Sequence, residues 1–193
     1  MSAGARIPIF PLNLVLMPGA MLPLKIFEQR YLDMTKECLR DGTPFGVCLI
    51  RDGTEVGAPA EHAEVGCTAT IADWEMPHMG LFHLRTTGQQ VFRIRERSIR
   101  PSGLIEADVE WLADESGMVD ADTLGLCRRI LGGIVARVGP GIFAGPARLE
   151  DARWISYRLA ELLPVPAPDK QSLLEERIDA LRLARLAELL RSR

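Results

Sequence analysis

Several groups of side chains in this 193-residue sequence are of the types that do chemistry. Lys170 and Ser172 are the material of a serine–lysine dyad. Such a dyad needs the hydroxyl within hydrogen-bond reach of a desolvated amine. The two residues stand two apart in a segment whose pattern predicts a helix, which turns them to different faces and leaves both in solvent. His62, His78 and His83 could serve a triad, but no GxSxG elbow accompanies them. His78 and His83 with Cys67 are metal-ligand types without the spacing of a zinc site, so they read as polar residues of a loop and a strand face. A phosphate-cradling loop needs Lys before Ser or Thr. None of Lys25, Lys36 and Lys170, the only lysines, is so placed. The expectation is a protein with no catalytic residues, no metal site and no cofactor.

Charge patterning is more informative. In Val91 to Ile99, Phe92 and Ile94 alternate with Arg93, Arg95 and Arg97; in Leu104 to Leu112, Ile105, Val109 and Trp111 alternate with Glu106, Asp108 and Glu110. The segment Arg100-Pro101-Ser102-Gly103 between them suits a hairpin turn. One antiparallel register sets Arg97 opposite Glu106, Arg95 opposite Asp108 and Arg93 opposite Glu110, with Phe92 beside Trp111 and Ile94 beside Val109. The acids therefore read as cross-strand ion pairs rather than as a cation site.

The elements that position these groups fall into two kinds. Ile7 to Leu16, broken by Pro8 and Pro11, predicts an edge or bent strand. Met21 to Ile26 is a second extended run, and Phe27 to Leu39 has helical spacing ended by Gly42. Phe45 to Ile50 reads as a buried strand, and the alternation of Val65, Cys67, Ala69 and Ile71 as another. Trp74 to Gly80, with Pro77 and Gly80, reads as a loop. Helical periods dominate beyond Asp114-Glu115-Ser116-Gly117. Leu124, Cys127, Leu131, Ile134 and Val138 form one stripe, with Gly132-Gly133 marking close packing or a break. Asp151, Asp169 and Asp179 are candidate caps for later helices. The division expected is a β-rich subdomain over 1–117 and an α-helical subdomain over 118–193, in the α+β class.

Composition excludes some functions. A net charge of −3 gives no general pull toward nucleic acid or anionic lipid. The four cysteines form no CxxC pair, and with ordinary apolar content a disulfide framework is not expected. No leader pattern and no apolar run of about 18 residues is present. The expected compartment is the cytoplasm, with no membrane partner.

Three stretches together resemble a known family. Pro8-Ile9-Phe10-Pro11-Leu12, then Met17-Pro18-Gly19-Ala20-Met21-Leu22-Pro23-Leu24-Lys25-Ile26-Phe27-Glu28-Gln29-Arg30-Tyr31, resembles the opening of the Lon protease N-terminal domain. That opening is a short strand, a Pro-Gly turn and an "LPL-x-IFE-x-RY" run into a helix. Val65-Gly66-Cys67-Thr68-Ala69-Thr70-Ile71, and Gly88 with Phe92-Arg93-Ile94, resemble two further strands of the family. Ser156-Tyr157 to Leu162-Leu163-Pro164, then Asp169-Lys170-Gln171-Ser172-Leu173-Leu174-Glu175, resembles its helical tail. The resemblance implies a PUA-like mixed β-barrel followed by a C-terminal helical bundle, and a role in recognising damaged or unfolded polypeptides. It implies a free-standing domain without the ATPase and protease modules. Physically the opening motif reads as structural: Leu24, Ile26 and Phe27 are expected in the core, Tyr31 seats the helix, and Glu28 pairs with Arg30 or Arg40 or favours the helix N-terminus.

The expected function is therefore a non-catalytic polypeptide-binding adaptor or regulator in protein quality control. Its candidate surface is Trp74, Met76, His78 and Met79, apolar and adaptable side chains between strands. Trp74 could instead fold back as a barrel plug. A second reading is an RNA-binding barrel using the basic stripe Arg93, Arg95, Arg97 and Arg100, although the facing acids and the net charge make nucleic acid the less expected partner. A third is a small-ligand pocket near Trp74 and Trp111.

Overall fold

The structure is a computed structural model that describes residues 4–191. It forms two compact units, one ending at Leu112 and the other beginning at Ala113. The sequence pattern sets the division at 117. Residues 113–117 go with the helices because their polar groups are satisfied there: Glu115 bridges Ile178, and the Gly117 N–H donates to Asp179 Oδ1 at 2.8 Å.

The first unit holds β1 (Ala5–Leu12), β2 (Met21–Ile26), α1 (Gln29–Asp41), β3 (Phe45–Asp52), β4 (Glu61–His62), β5 (Val65–His78), β6 (Leu81–Ile99) and β7 (Ile105–Trp111). The pairing order β1-β7-β6-β5-β3 returns to β1 through a β1–β3 contact, so five strands close a barrel. The β1–β3 pair is parallel and the others are antiparallel. Strands β2 and β4 attach outside the ring, on β6 and β3. The prolines of β1 fit this closure. The strand pairs with β7 over Ala5 to Ile9 and with β3 over Ile9 to Leu12. Pro8 and Pro11 therefore fall where only one neighbour is present, where a missing donor is tolerated.

Inside the barrel lie Ile7, Ile9, Cys48, Phe92, Ile94, Ile105 and Val109, with Trp111 packed against them. Phe92 is fully buried and fills the space left by two glycines. A Cβ on Gly46 would meet Phe92 Cζ at 2.6 Å and Ile9 Cδ1 at 2.8 Å; one on Gly66 would run into the Val47 carbonyl oxygen and meet Phe92 Cζ at 2.7 Å. The opening motif is mostly structural, as its chemistry suggests. Ile26 is buried, Tyr31 stacks on Phe10 at 4.2 Å, and Glu28 pairs with buried Arg30 at 3.1 Å. Phe27 departs from expectation. It sits in the bend between β2 and α1 and is 57% exposed, because alternation gives the inward position to Ile26.

The β6–β7 register is as read for Phe92↔Trp111, Arg93↔Glu110 and Ile94↔Val109. A bulge then takes Arg95 out of step, and Glu96 faces Asp108, Arg97 faces Ala107 and Ser98 faces Glu106. The expected Arg95–Asp108 and Arg97–Glu106 pairs do not form. Arg95 pairs with Glu110, Arg97 with Glu61 at 3.1 Å, and Asp108 with Arg6 of β1 at 2.9 Å. A double-mutant cycle in urea should therefore find coupling of about 0.2–1 kcal/mol between Arg6 and Asp108, the range of exposed pairs, and none between Arg95 and Asp108. Coupling only in the second pair would restore the unbulged register.

The second unit holds α2 (Ala121–Val138), a 3-10 turn (Pro140–Ile142), α3 (Ala152–Leu162), α4 (Ala167–Glu175) and α5 (Asp179–Arg191). Asp120 and Asp151 cap α2 and α3 by accepting the N–H of Thr123 and Trp154. Helix α2 runs unbroken through Gly132-Gly133; of the predicted stripe, Cys127 and Leu131 are buried and Val138 is exposed. Asp169 is not a cap, because α4 starts at Ala167 behind Pro166. Asp179 opens α5, but its carboxylate is spent on Gly117. At the centre of this unit Asp114 accepts from the Tyr157 hydroxyl at 2.7 Å and pairs with Arg177 at 2.8 Å, Arg182 at 3.1 Å and Arg153 at 3.8 Å. Arg182 is fully buried, lies 3.9 Å over the Tyr157 ring, and its Nε has no hydrogen-bond partner. Among the described residues no helix is long and apolar enough to cross a membrane.

Candidate functional site

Strands β5 and β6 outrun the barrel. Pairing of β5 with β3 stops at Ala69, yet β5 continues to His78. Trp74 to Gly80 is thus not a loop but the end of a hairpin closed by Met79-Gly80 between paired His78 and Leu81. The breakers are absorbed locally. Pro77 falls in the irregular step between Glu75 and His78, and Gly80 takes a positive φ of 83° at the second turn position, which glycine adopts without a Cβ clash. Strand β2 flanks β6 on the other side, so the extension is a three-stranded ribbon.

Register sorts its faces. Leu24, Leu84 and Trp74 form one cross-strand row, with Ile26 beside Phe82 in the next. The other face carries the rows Lys25, His83, Glu75 and Pro23, Arg85, Asp73. Ion pairs hold this polar face, His83 to Glu75 at 3.1 Å and Arg85 to Asp73. A groove of about 560 Å³ crosses the ribbon, lined by Lys25, Asp73, Trp74, Glu75, His83 and Arg85 among others. Trp74 is neither plug nor free indole. Its ring meets Phe82 edge-on at 5.5 Å, and 49% of the residue stays exposed. Met76 is 51% exposed and Met79 fully so; His78 is exposed beside them.

Other candidate groups are dispersed. Of the basic stripe, Arg95 and Arg97 are bound as above, and Arg100 pairs with Glu37 at 3.0 Å and Glu106 at 2.8 Å. Those two carboxylates raise the Arg100 pKa, and the Arg100 hydrogen bond lowers that of Glu106. Arg93 is exposed, opposite Glu110. Trp74 and Trp111 cannot share one pocket, since they face Leu84 and Phe92 of β6, which alternation spaces at about 3.3 Å per residue. Lys170, expected in solvent, is partly buried and donates to the Glu161 carbonyl at 2.6 Å, while the Ser172 hydroxyl donates to Pro168 O at 3.1 Å. Cys67 is fully buried in the barrel, whereas His78 is exposed at the hairpin end. No three His, Cys, Asp or Glu side chains converge on a metal position among the described residues.

His62 has its own signature. It is buried, its Nδ1 lies 2.9 Å from the Ala63 carbonyl, and its Nε2 has no hydrogen-bond partner. Burial lowers its pKa, and Arg97 and Arg51 act in the same direction. The folded state therefore resists the proton that the unfolded state takes up near pH 6.5. Stability should fall as pH drops below about 6.5 toward the folded-state pKa, by at most about 1.4 kcal/mol per pH unit. Urea melts of His62→Gln should be flat across that window; an unchanged slope would assign the acid sensitivity elsewhere.

Sequence reasoning missed the exposed Phe27 and the ribbon itself. The signal for the ribbon was the alternation of Phe82 and Leu84 with His83 and Arg85, facing that of Leu22, Leu24 and Ile26 with Pro23 and Lys25.

With this geometry in hand, comparison with known proteins is specific. The family model of the ATP-dependent protease La (LON) substrate-binding domain matches residues 6–192. A Lon N-terminal domain protein from Xanthomonas campestris has a crystal structure that superposes with a TM-score of 0.78 at 34% identity, covering 94% of this chain and 96% of that one. The N-terminal domain of a Mycobacterium avium complex Lon protease superposes with a TM-score of 0.71 at 13% identity over 95% of this chain and 97% of the other, a likeness of fold. Among curated relatives, Lon protease 2 of Myxococcus xanthus is 27% identical over 177 residues, and Lon protease of Anaeromyxobacter dehalogenans 27% over 179. The chain spans 21% of the length of each.

Proposed function

Because this chain belongs to the family of the Lon substrate-binding domain, we propose that it binds polypeptides with exposed apolar residues and does no chemistry on them, acting as an adaptor or regulator in protein quality control. The match is to a binding domain, not to a catalytic one. The observation that carries the reading is the ribbon tip, where Trp74, Met76 and Met79 stand exposed on a paired hairpin. Apolar side chains that a fold keeps exposed mark interaction surfaces, and thioether side chains adapt to varied partners. Trp74, Met76, His78 and Met79 are the residues proposed to touch the bound chain.

The test is capture of β-casein, an unstructured polypeptide, by the intact protein. Met76→Ser with Met79→Ser, and separately Trp74→Ala, should abolish capture. Melting should change little, since Trp74→Ala forfeits one edge-on ring contact, about 0.5–1.5 kcal/mol. Casein should remain uncut, and ATP should not be turned over. Full capture by both variants would remove the tip as the site, and a collapse of the Trp74→Ala melting curve would make that residue core.

A further inference from the structure

We infer that the ribbon takes its polypeptide as an added β-strand on the outer edge of β5, between Ile71 and Met76, so that backbone hydrogen bonds supplement the apolar contacts; this rests on the polypeptide-binding reading and specifies its mode. The backbone directions follow from two hydrogen bonds. Gly19 donates to Gly88 O at 2.7 Å, and Gly88 donates to Ala20 O at 2.9 Å, so the backbone groups of Gly88 face the β2 side. Alternation along β6 turns Thr86, Leu84 and Phe82 the same way, and Thr87, Arg85 and His83 toward β5. Their partners Thr70, Asp73 and Glu75 face inward, which leaves the N–H and C=O of Trp74 facing out. An independent contact agrees: the Trp74 N–H donates to no strand but to the Asp73 carboxylate, at 2.8 Å.

The choice of edge follows from the same parity. Leu22, Leu24 and Ile26 face β6, so Pro23 faces outward and deprives the free edge of β2 of its central donor. Strand β4 has only Glu61 and His62. Strand β1 has one neighbour along each half, and Pro8 and Pro11 stand in those halves. Beyond Ala69, opposite the first residue of β3, β5 pairs with no strand but β6 among the described residues. An extended chain paired there lies along Trp74 and Met76, which supply side-chain contact while the edge supplies register-tolerant main-chain bonds. That combination recognises extended backbone of many sequences, the property an unfolded polypeptide offers. Asp73 acts as the guard of this edge. Its carboxylate occupies the Trp74 N–H in the free protein and must yield when a strand arrives.

The experiment uses a labelled peptide of alternating Val and Thr between lysine flanks, and two versions N-methylated on alternate residues in opposite phase, titrated against the intact protein. One methylated phase should bind about tenfold or more weaker, the loss of one or two backbone hydrogen bonds, while the other stays near the parent. Asp73→Ala should bind the parent peptide about threefold tighter because the competing acceptor is gone, and Asp73→Asn, which keeps an acceptor, should behave as wild type. Equal binding of all three peptides, or weaker binding by Asp73→Ala, overturns the strand-addition mode. If β-casein capture still depends on Trp74 and the methionines, the polypeptide-binding reading survives that result. Absence of casein capture by the unaltered protein overturns both.

Discussion

Asp114→Ala should cost the helical unit about 3–5 kcal/mol, read as a shifted urea midpoint by far-UV circular dichroism. The carboxylate is the shared counter-charge of Arg177, Arg182 and Arg153 and the acceptor of the Tyr157 hydroxyl. Without it, three guanidinium groups face one another. Arg182 cannot turn to water, being fully buried, and burial already holds its pKa below the ordinary arginine value. The cost is thus that of an uncompensated buried charge, not of one lost ion pair. Adding Arg182→Met to Asp114→Ala should recover much of the loss, because an apolar side chain of similar length stacks on Tyr157 without needing a partner. Equal midpoints for Asp114→Ala and the wild type would show that solvent reaches the cluster and screens it.

Inside the barrel, Gly46→Ala and Gly66→Ala should each destabilise by about 1–3 kcal/mol through overpacking, but they should differ in rescue. The atoms nearest the added methyl at Gly46 belong to side chains, those of Phe92 and Ile9. Phe92→Leu removes the closest of these, so the Gly46→Ala, Phe92→Leu pair should be more stable than the sum of its single changes. At Gly66 the nearest atom is the Val47 carbonyl oxygen, part of the neighbouring strand. No side-chain change moves it, and Phe92→Leu should leave that variant impaired. Equal rescue at both positions would mean that β3 shifts to accommodate the methyl, against the closure described above.

How far the sequence could be read follows from the kind of signal each feature leaves. The alternation of Val65 to Ile71 and of Phe92 to Ile94 is a local pattern, and both strands are where it puts them. The β6–β7 pairing was legible up to Ile94 because one register satisfied both faces there. The bulge at Arg95 was not, since Arg6 and Glu61, the partners that draw Asp108 and Arg97 away, lie in other strands. The same blindness hid the ribbon. Pro77 and Gly80 are turn formers, but whether they end a strand or close a hairpin depends on β6 continuing alongside. Barrel closure left no local trace beyond the two prolines of β1, which resembled an edge because each half of that strand has one neighbour. At the candidate site, the residue types at Trp74, Met76, His78 and Met79 were legible and their exposure was not. Burial of Trp74 is decided by Phe82 across the hairpin.

Closure through β1 has a consequence for synthesis of the chain. Ala5 pairs with Val109, and Ile9 with Ile105. At roughly 5–20 residues per second, the first strand of the barrel leaves the ribosome about 5–20 s before its antiparallel partner exists. During that interval it can hold only its parallel neighbour β3. The barrel can seal only after β7 emerges, so its formation on the ribosome is timed by translation of the hairpin that carries the proposed binding edge. Codons that slow elongation between the β5 and β7 segments would lengthen the time for which an apolar N-terminal strand waits uncovered. Pro8 and Pro11, which limit pairing in the finished barrel, also make that waiting strand a poor template for a neighbouring nascent chain.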